Sequence, residues 1–172
     1  MENIFNSTEE TNSTSIQPTL DPALLAQLRS GANWFYWIAG LSVVNSLIFA
    51  FGGKVSFIAG LGLTQIVDGI FDAIVTAGAP SAVRAVAIVI SFVVIAMFAL
   101  FGYYANKAIT WVFILGIAIY ALDALLLLVL RAYFAAGFHA FALIYIIRGF
   151  IACRAVKQFN AQASVGAFGA QR

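Results

Sequence analysis

Long apolar stretches dominate the chain after residue 31, and short breaks of small or polar residues separate them. Each stretch has about 20 residues, which is enough for an α-helix to cross a hydrocarbon core of roughly 30 Å. The five stretches are residues 34–52, 55–77, 82–104, 109–130 and 132–153. Because the breaks are short, consecutive helices must be antiparallel. The pattern predicts an all-α fold, an integral membrane helical bundle of five transmembrane helices.

The second stretch differs from the others because Asp68 and Asp72 interrupt it. A carboxylate near the centre of a membrane helix costs roughly 2.5–3.5 kcal/mol on insertion scales, so the two offset most of what the apolar residues of this stretch contribute. An alternative therefore stays open, with four transmembrane helices plus one re-entrant or interfacial helix. The polar side chains favour a spanning helix, since they share about a third of the helical wheel and offer aspartates, where an interfacial helix would have Lys and Arg. They are Lys54, Thr64, Gln65, Asp68, Asp72 and Thr76.

A faint internal repeat also favours a spanning second helix. Residues 49–63 resemble residues 98–119, and each copy is followed by an aspartate, Asp68 or Asp123. A duplication would match helices one and two with helices three and four in the same sense. The second helix would then span as the fourth does.

Composition agrees with a membrane location, because 63% of the residues are hydrophobic, 9% are charged and the mean hydropathy is +0.98. A soluble domain has about 25% charged residues. The net charge of +2 is scattered, so nucleic acid is not an expected partner. Around a bundle at residues 32–153 we expect a polar N-terminal tail, residues 1–31, and a short cytoplasmic C-terminal tail, residues 154–172. Within the N-terminal tail, Asp21 predicts the start of a short interfacial helix near residues 22–29.

The distribution of Lys and Arg predicts a cytoplasmic C-terminus. In the five-helix arrangement one side carries Lys54, Lys107, Arg148, Arg154, Lys157 and Arg172, and the other carries Arg29, Arg84 and Arg131. Four helices give the same ratio and change only the side of the N-terminus. Five helices also predict an outer aromatic belt of Trp34, Tyr36, Trp37 and Tyr133, and an inner one of Tyr103, Tyr104 and Trp111.

Spacing from the breaks places three polar side chains at one depth. Asp123 lies eight residues before Arg131 and His139 lies eight residues after it, while Asp72 lies eight residues before Pro80. At 1.5 Å per residue, each is about 12 Å below its turn. We therefore expect Asp72, Asp123 and His139 to meet in the outer half of the bundle if their helix faces agree.

The wider candidate cluster comprises Asp68, Asp72, Asp123, His139, Asn45 and Gln65. In one interpretation these residues form interhelical pairs that hold the helices together, with Arg84 as an ion-pair partner. In the second they form a proton or cation pathway. In the third they form a metal or catalytic centre, although transition-metal sites usually need more than the one histidine that the chain contains. Arg148 either snorkels to the cytoplasmic interface or pairs with Asp68. No metal site and no cofactor is predicted.

Catalytic signatures are incomplete. Residues 68–72 match only part of the aspartate-rich signature of phospholipid head-group transferases, because Gln65 stands where an earlier acid is needed and the downstream aspartates are absent. His139 lacks the Gly-x-Ser context of a rhomboid-like protease in a neighbouring stretch. We therefore expect a protein that is not an enzyme.

Two segments, Asn33–Ser42 and Gly60–Asp68, together resemble an uncharacterised group of small bacterial multi-helix membrane proteins. The resemblance implies a bacterial inner membrane and carries no activity with it. The leading hypothesis is an accessory or scaffold protein whose polar pairs join helices. The alternative is a small ion- or proton-coupled carrier that uses intramembrane Asp and His. The expected partners are the lipid bilayer and either further copies of the chain or a larger membrane complex.

Overall fold

A computed structural model describes residues 19–51, 61–80 and 82–169. The first 18 residues of the predicted polar tail, and much of the first copy of the repeat, lie outside the described residues. The described part of the chain folds into five α-helices and contains no strand. They are α1 Pro22–Ala50, α2 Gly62–Thr76, α3 Ala82–Asn106, α4 Thr110–Val129 and α5 Tyr133–Gly169. The predicted all-α bundle is confirmed.

Three of the described helices, α3, α4 and α5, are long and apolar enough to cross a membrane. The expectation of five transmembrane helices is therefore not met. The largest difference concerns α2, whose 15 residues are about 22 Å long and fall short of a roughly 30 Å core. The three candidate spans still make the chain a membrane protein.

The two terminal helices extend further than the apolar stretches do. Asp21 caps α1, since the Ala23 N–H donates to Asp21 Oδ1 at 2.8 Å, and Pro22 occupies the first turn. Instead of a separate interfacial helix, residues 22–29 form the first turns of α1, and Leu28 is buried in the common core. At the other end, α5 continues beyond Cys153 to Gly169, so most of the predicted C-terminal tail is helical.

Each of the three short turns in the described chain ends a helix with the same hydrogen-bond pattern. Gly78, Ala108 and Arg131 have positive φ angles of 104°, 56° and 60°. Each donates its N–H to the carbonyl three residues earlier, and the next residue donates to the carbonyl five residues earlier. This is the Schellman motif, in which the left-handed position usually holds glycine. It accounts for the predicted breaks at these positions.

Helix α1 lies at the centre of the bundle, between α3 and α5, while α4 packs on α5 and α2 packs mainly on α3. The centre is aromatic, because the Phe35 ring of α1 contacts Phe101 of α3 and Phe113 of α4 at centroid distances of 5.9 Å. On the other side of α1, Gly31 faces Gly149 of α5. A Cβ on Gly31 would lie 2.5 Å from the Gly149 Cα, so only glycine permits this approach.

The contacts also fix the helix directions. Near the start of the apolar part of α1, Asn106 Nδ2 donates to Asn33 Oδ1 at 3.4 Å, and one turn further Tyr36 packs on Gly102. Helix α1 therefore runs antiparallel to α3. Five helices that all span in chain order would make α1 and α3 parallel, so that arrangement is wrong. As a consequence Tyr36 lies at the same end as Tyr103, and the predicted separation of these residues into an outer and an inner belt is also wrong.

Candidate functional site: a helix start inside the bundle

Helix α2 begins in the interior of the bundle, at the level of Ser42 of α1 and Asp123 of α4. The Leu61 N–H donates to Ser42 Oγ at 2.8 Å, and Ser42 Oγ in turn donates to the Ile38 carbonyl at 2.8 Å. Leu61 is buried, and Ser42 lies well inside α1. A helix start leaves its first N–H groups without partners in the helix, and burying them unpaired is costly. The neighbouring helices supply the missing acceptors.

Asp123 of α4 caps this helix start. Its carboxylate accepts the Gly62 N–H at Oδ2 and the Leu63 N–H at Oδ1, both at 2.8 Å. A negative charge at a helix N-terminus also interacts favourably with the helix dipole. Gly62 permits the approach, since a Cβ there would lie 2.9 Å from Leu127 Cδ2 and 3.2 Å from Asp123 Oδ1. A side chain 60 residues away in sequence thus does what an N-cap residue usually does.

His139 of α5 completes the cap. Its Nε2 lies 3.0 Å from Asp123 Oδ2, and its Nδ1 lies 2.8 Å from the Ala135 carbonyl oxygen. A carbonyl only accepts, so Nδ1 carries a hydrogen. A second proton must then lie between Nε2 and the carboxylate, on one partner or the other.

Tyr120 of α4 covers the imidazole. The two rings stack with centroids 4.4 Å apart and an interplanar angle of 18°, and both side chains are fully buried. The Tyr120 hydroxyl has no hydrogen-bond partner in the described part of the chain. The ring therefore shields the pair from lipid, while its hydroxyl remains a cost to folding.

Two further carboxylates are paired elsewhere on α2. The buried Asp68 accepts a hydrogen bond from Ser91 Oγ of α3 at 3.0 Å. Asp72 forms an ion pair with Arg84, and both side chains are partly exposed. Both contacts join α2 to α3, whereas Asp123 joins α2 to α4 and α5.

The structure brings together only part of the cluster expected from the sequence. Asp123 and His139 meet, but Asp72 faces Arg84, so Asp72 does not join the two at a common level. Arg148 is exposed on α5, while Ser91 is the hydrogen-bond donor to Asp68. The remaining two candidates are Asn45, which is buried in α1, and Gln65, which is half-buried on α2.

Sequence reasoning missed four contributors, Ser42, Gly62, Leu63 and Tyr120. Gly62 and Leu63 act through backbone N–H groups, which leave no trace in side-chain chemistry. The pair Ser42 and Thr64 offered a weak signal, since hydroxyl side chains inside apolar stretches often bond to backbone. Thr64 Oγ1 does so here, donating to the Leu61 carbonyl at 2.8 Å.

Two openings lie beside the cap. An apolar groove of about 200 Å³ runs between α2, α3 and α4 and is bounded by Leu61, Phe98, Leu122 and Asp123. A wider cleft of about 440 Å³ lies at the α4–α5 turn. No group of three or more His, Cys, Asp or Glu side chains suited to a metal ion occurs within residues 19–51, 61–80 and 82–169.

Comparison with protein-family models, with curated proteins and with solved structures finds no match to this chain. The likeness to small bacterial membrane proteins therefore stays a prediction.

Proposed function

We propose that the chain crosses the membrane four times, with α1, α3, α4 and α5, and that α2 is a re-entrant helix. In this arrangement α2 starts in the membrane interior at Leu61 and returns to the end where α3 begins. Both termini are then cytoplasmic, with six Lys and Arg residues on the cytoplasmic side of the membrane and three on the opposite side. The antiparallel contact of α1 with α3 supports this proposal, since it makes α1 end where α3 starts.

Sided cysteine labelling tests the topology. In a Cys153→Ala background, single cysteines replace the exposed residues Thr19, Ala77 and Asn160. Four crossings predict that Thr19→Cys and Asn160→Cys react only from the cytoplasmic side, whereas Ala77→Cys reacts only from the opposite side. Labelling of positions 19 and 160 from opposite sides would refute the proposal.

We infer that the protein is a non-enzymatic accessory or scaffold protein of the membrane. The observation that supports this inference is that the three aspartates within the apolar stretches each form a contact between different helices. Asp68 pairs with Ser91, Asp72 with Arg84, and Asp123 with His139 and the α2 backbone. Interhelical hydrogen bonds of this kind hold membrane helices together.

A proton-coupled carrier is the second candidate, and the proton held between Asp123 and His139 favours it. Intramembrane Asp and His are the usual parts of proton relays. Proton flux into proteoliposomes under a pH gradient separates the two functions. A scaffold gives no flux above empty liposomes, whereas a carrier gives a flux that both His139→Gln and Asp123→Asn abolish.

A further inference from the structure

The cleft at the α4–α5 turn combines a cation with apolar walls. It is lined by Arg131 at the turn, by Leu127 and Gln65 on one side and by Tyr133 and Phe134 on the other. Its volume of about 440 Å³ is within the range of small-molecule sites. The turn lies at the end of the bundle, where the hydrocarbon core of a membrane meets the head-group layer. Such a cleft suits a molecule with an anionic head and an apolar body.

Arg131, which lines the cleft, has an unusual backbone conformation. Its φ of 60° is the left-handed position of the Schellman motif, which costs a non-glycine residue roughly 1–2 kcal/mol. The guanidinium forms no ion pair with any acid in the described ranges, although Arg84, at the same end of the bundle, pairs with Asp72. A planar guanidinium binds phosphate oxygens with two parallel hydrogen bonds.

Two residues that line the cleft also contact residues of the α2 cap. Ala135 lines the cleft, and its carbonyl accepts from His139 Nδ1. Leu127 also lines it and lies against Gly62, the first residue of α2. An apolar chain in the cleft would therefore restrain Ala135, which holds His139, and Leu127, which lies against the first residue of α2.

We propose that this cleft binds an anionic membrane phospholipid, with the lipid phosphate on the Arg131 guanidinium and the first part of an acyl chain between α2 and α5. The positive charge of Arg131 is the reason for choosing an anionic lipid, since a cation without an ion-pair partner at a membrane interface is complementary to an anionic head group. Occupancy stabilises the start of α2, so the proposal extends the scaffold function without depending on it.

Lipid titrations of the purified full-length protein in detergent test the site. The probes are dioleoyl-phosphatidylglycerol, the zwitterionic dioleoyl-phosphatidylcholine and inorganic phosphate, and the readouts are native mass spectrometry and thermal unfolding. Two variants remove the cation: Arg131→Gln, and Arg131→Gly, which also relieves the backbone strain and so keeps the fold. The matched control is Arg154→Gln, which removes an exposed arginine at the other end of the bundle.

The proposal predicts that phosphatidylglycerol binds and raises the unfolding temperature, and that both Arg131 variants weaken its affinity about tenfold or more while Arg154→Gln does not. Equal binding of phosphatidylcholine would overturn the anionic selectivity. Equal stabilisation by inorganic phosphate would show a free-phosphate site instead of a lipid site. An unchanged affinity in Arg131→Gly would overturn the site itself.

Discussion

Replacing Asp123 with asparagine is the most informative single change, because it keeps the shape of the side chain and removes its charge. The carboxylate accepts hydrogen bonds on both oxygens, from Gly62 and His139 at Oδ2 and from Leu63 at Oδ1. An asparagine has one oxygen. With that oxygen toward Gly62 and His139, its NH₂ group faces the Leu63 N–H, and that donor is left unpaired.

The structure sets the expected magnitude. A buried unpaired N–H costs about 1–3 kcal/mol, and losing the charge at the helix start costs about 0.3–2 kcal/mol more. The free-energy contributions measured for interhelical hydrogen bonds in membranes lie toward the lower part of these ranges. We therefore expect Asp123→Asn to lower the free energy of unfolding by about 1.5–3 kcal/mol. For a chain of this size that corresponds to a fall in unfolding temperature of roughly 3–12 °C.

The same chemical change at Asp72 is the matched control. Asp72 and Arg84 are 44% and 38% exposed, so their ion pair contributes about 0–1 kcal/mol. Thermal unfolding of both variants, followed by circular dichroism in the same detergent, gives the comparison. An Asp123→Asn variant that loses no more stability than Asp72→Asn would refute the cap as described.

Three further predictions use the same unfolding measurement. Gly31→Ala should lower the free energy of unfolding by about 1–3 kcal/mol, because the added Cβ meets the Gly149 backbone. Gly40→Ala, the control, should not lower it, because nothing lies within 4 Å of the added Cβ. Equal effects of the two changes would contradict the close approach of α1 and α5. Ala108→Gly and Arg131→Gly, measured without added lipid, should each raise stability by up to about 1 kcal/mol by relieving the left-handed backbone; a loss in both would be inconsistent with the Schellman turns. Tyr120→Phe should be neutral or stabilising, since it removes an unpaired buried hydroxyl; a loss above about 1 kcal/mol would mean that the hydroxyl has a partner.

The helix ends were accessible to sequence reasoning because they depend on local chemistry. Asp21 with Pro22 indicated a helix start, which is that of α1 and not of a separate interfacial helix, and the breaks near Gly78 and Arg131 coincide with Schellman turns. The equal sequence spacing of Asp123 and His139 from the turn at Arg131 is also a local property of the chain. It led to the expectation that the two side chains would meet. Helix periodicity and chain reversal were sufficient for these features.

The rest depended on tertiary contacts. Asp72 shares the predicted depth but faces α3, because depth along a helix does not determine which face is buried. The start of α2 was unpredictable for a related reason. Its acceptors, Ser42 and Asp123, lie on other helices, so no local capping signal precedes Gly62. Because that start was missed, a 15-residue helix resembled a spanning one, and five spans were predicted where the described residues contain three candidates.

Amide hydrogen exchange at the start of α2, measured on the protein in bilayers, tests the central claim most directly. The N–H groups of Gly62 and Leu63 belong to a first helical turn, which ordinarily frays and exchanges quickly. Capped by Asp123 inside the bundle, they should exchange as slowly as core amides of α4, and Asp123→Ala should accelerate both selectively. Exchange as fast as that of an amide without a hydrogen bond would contradict a buried, capped helix start.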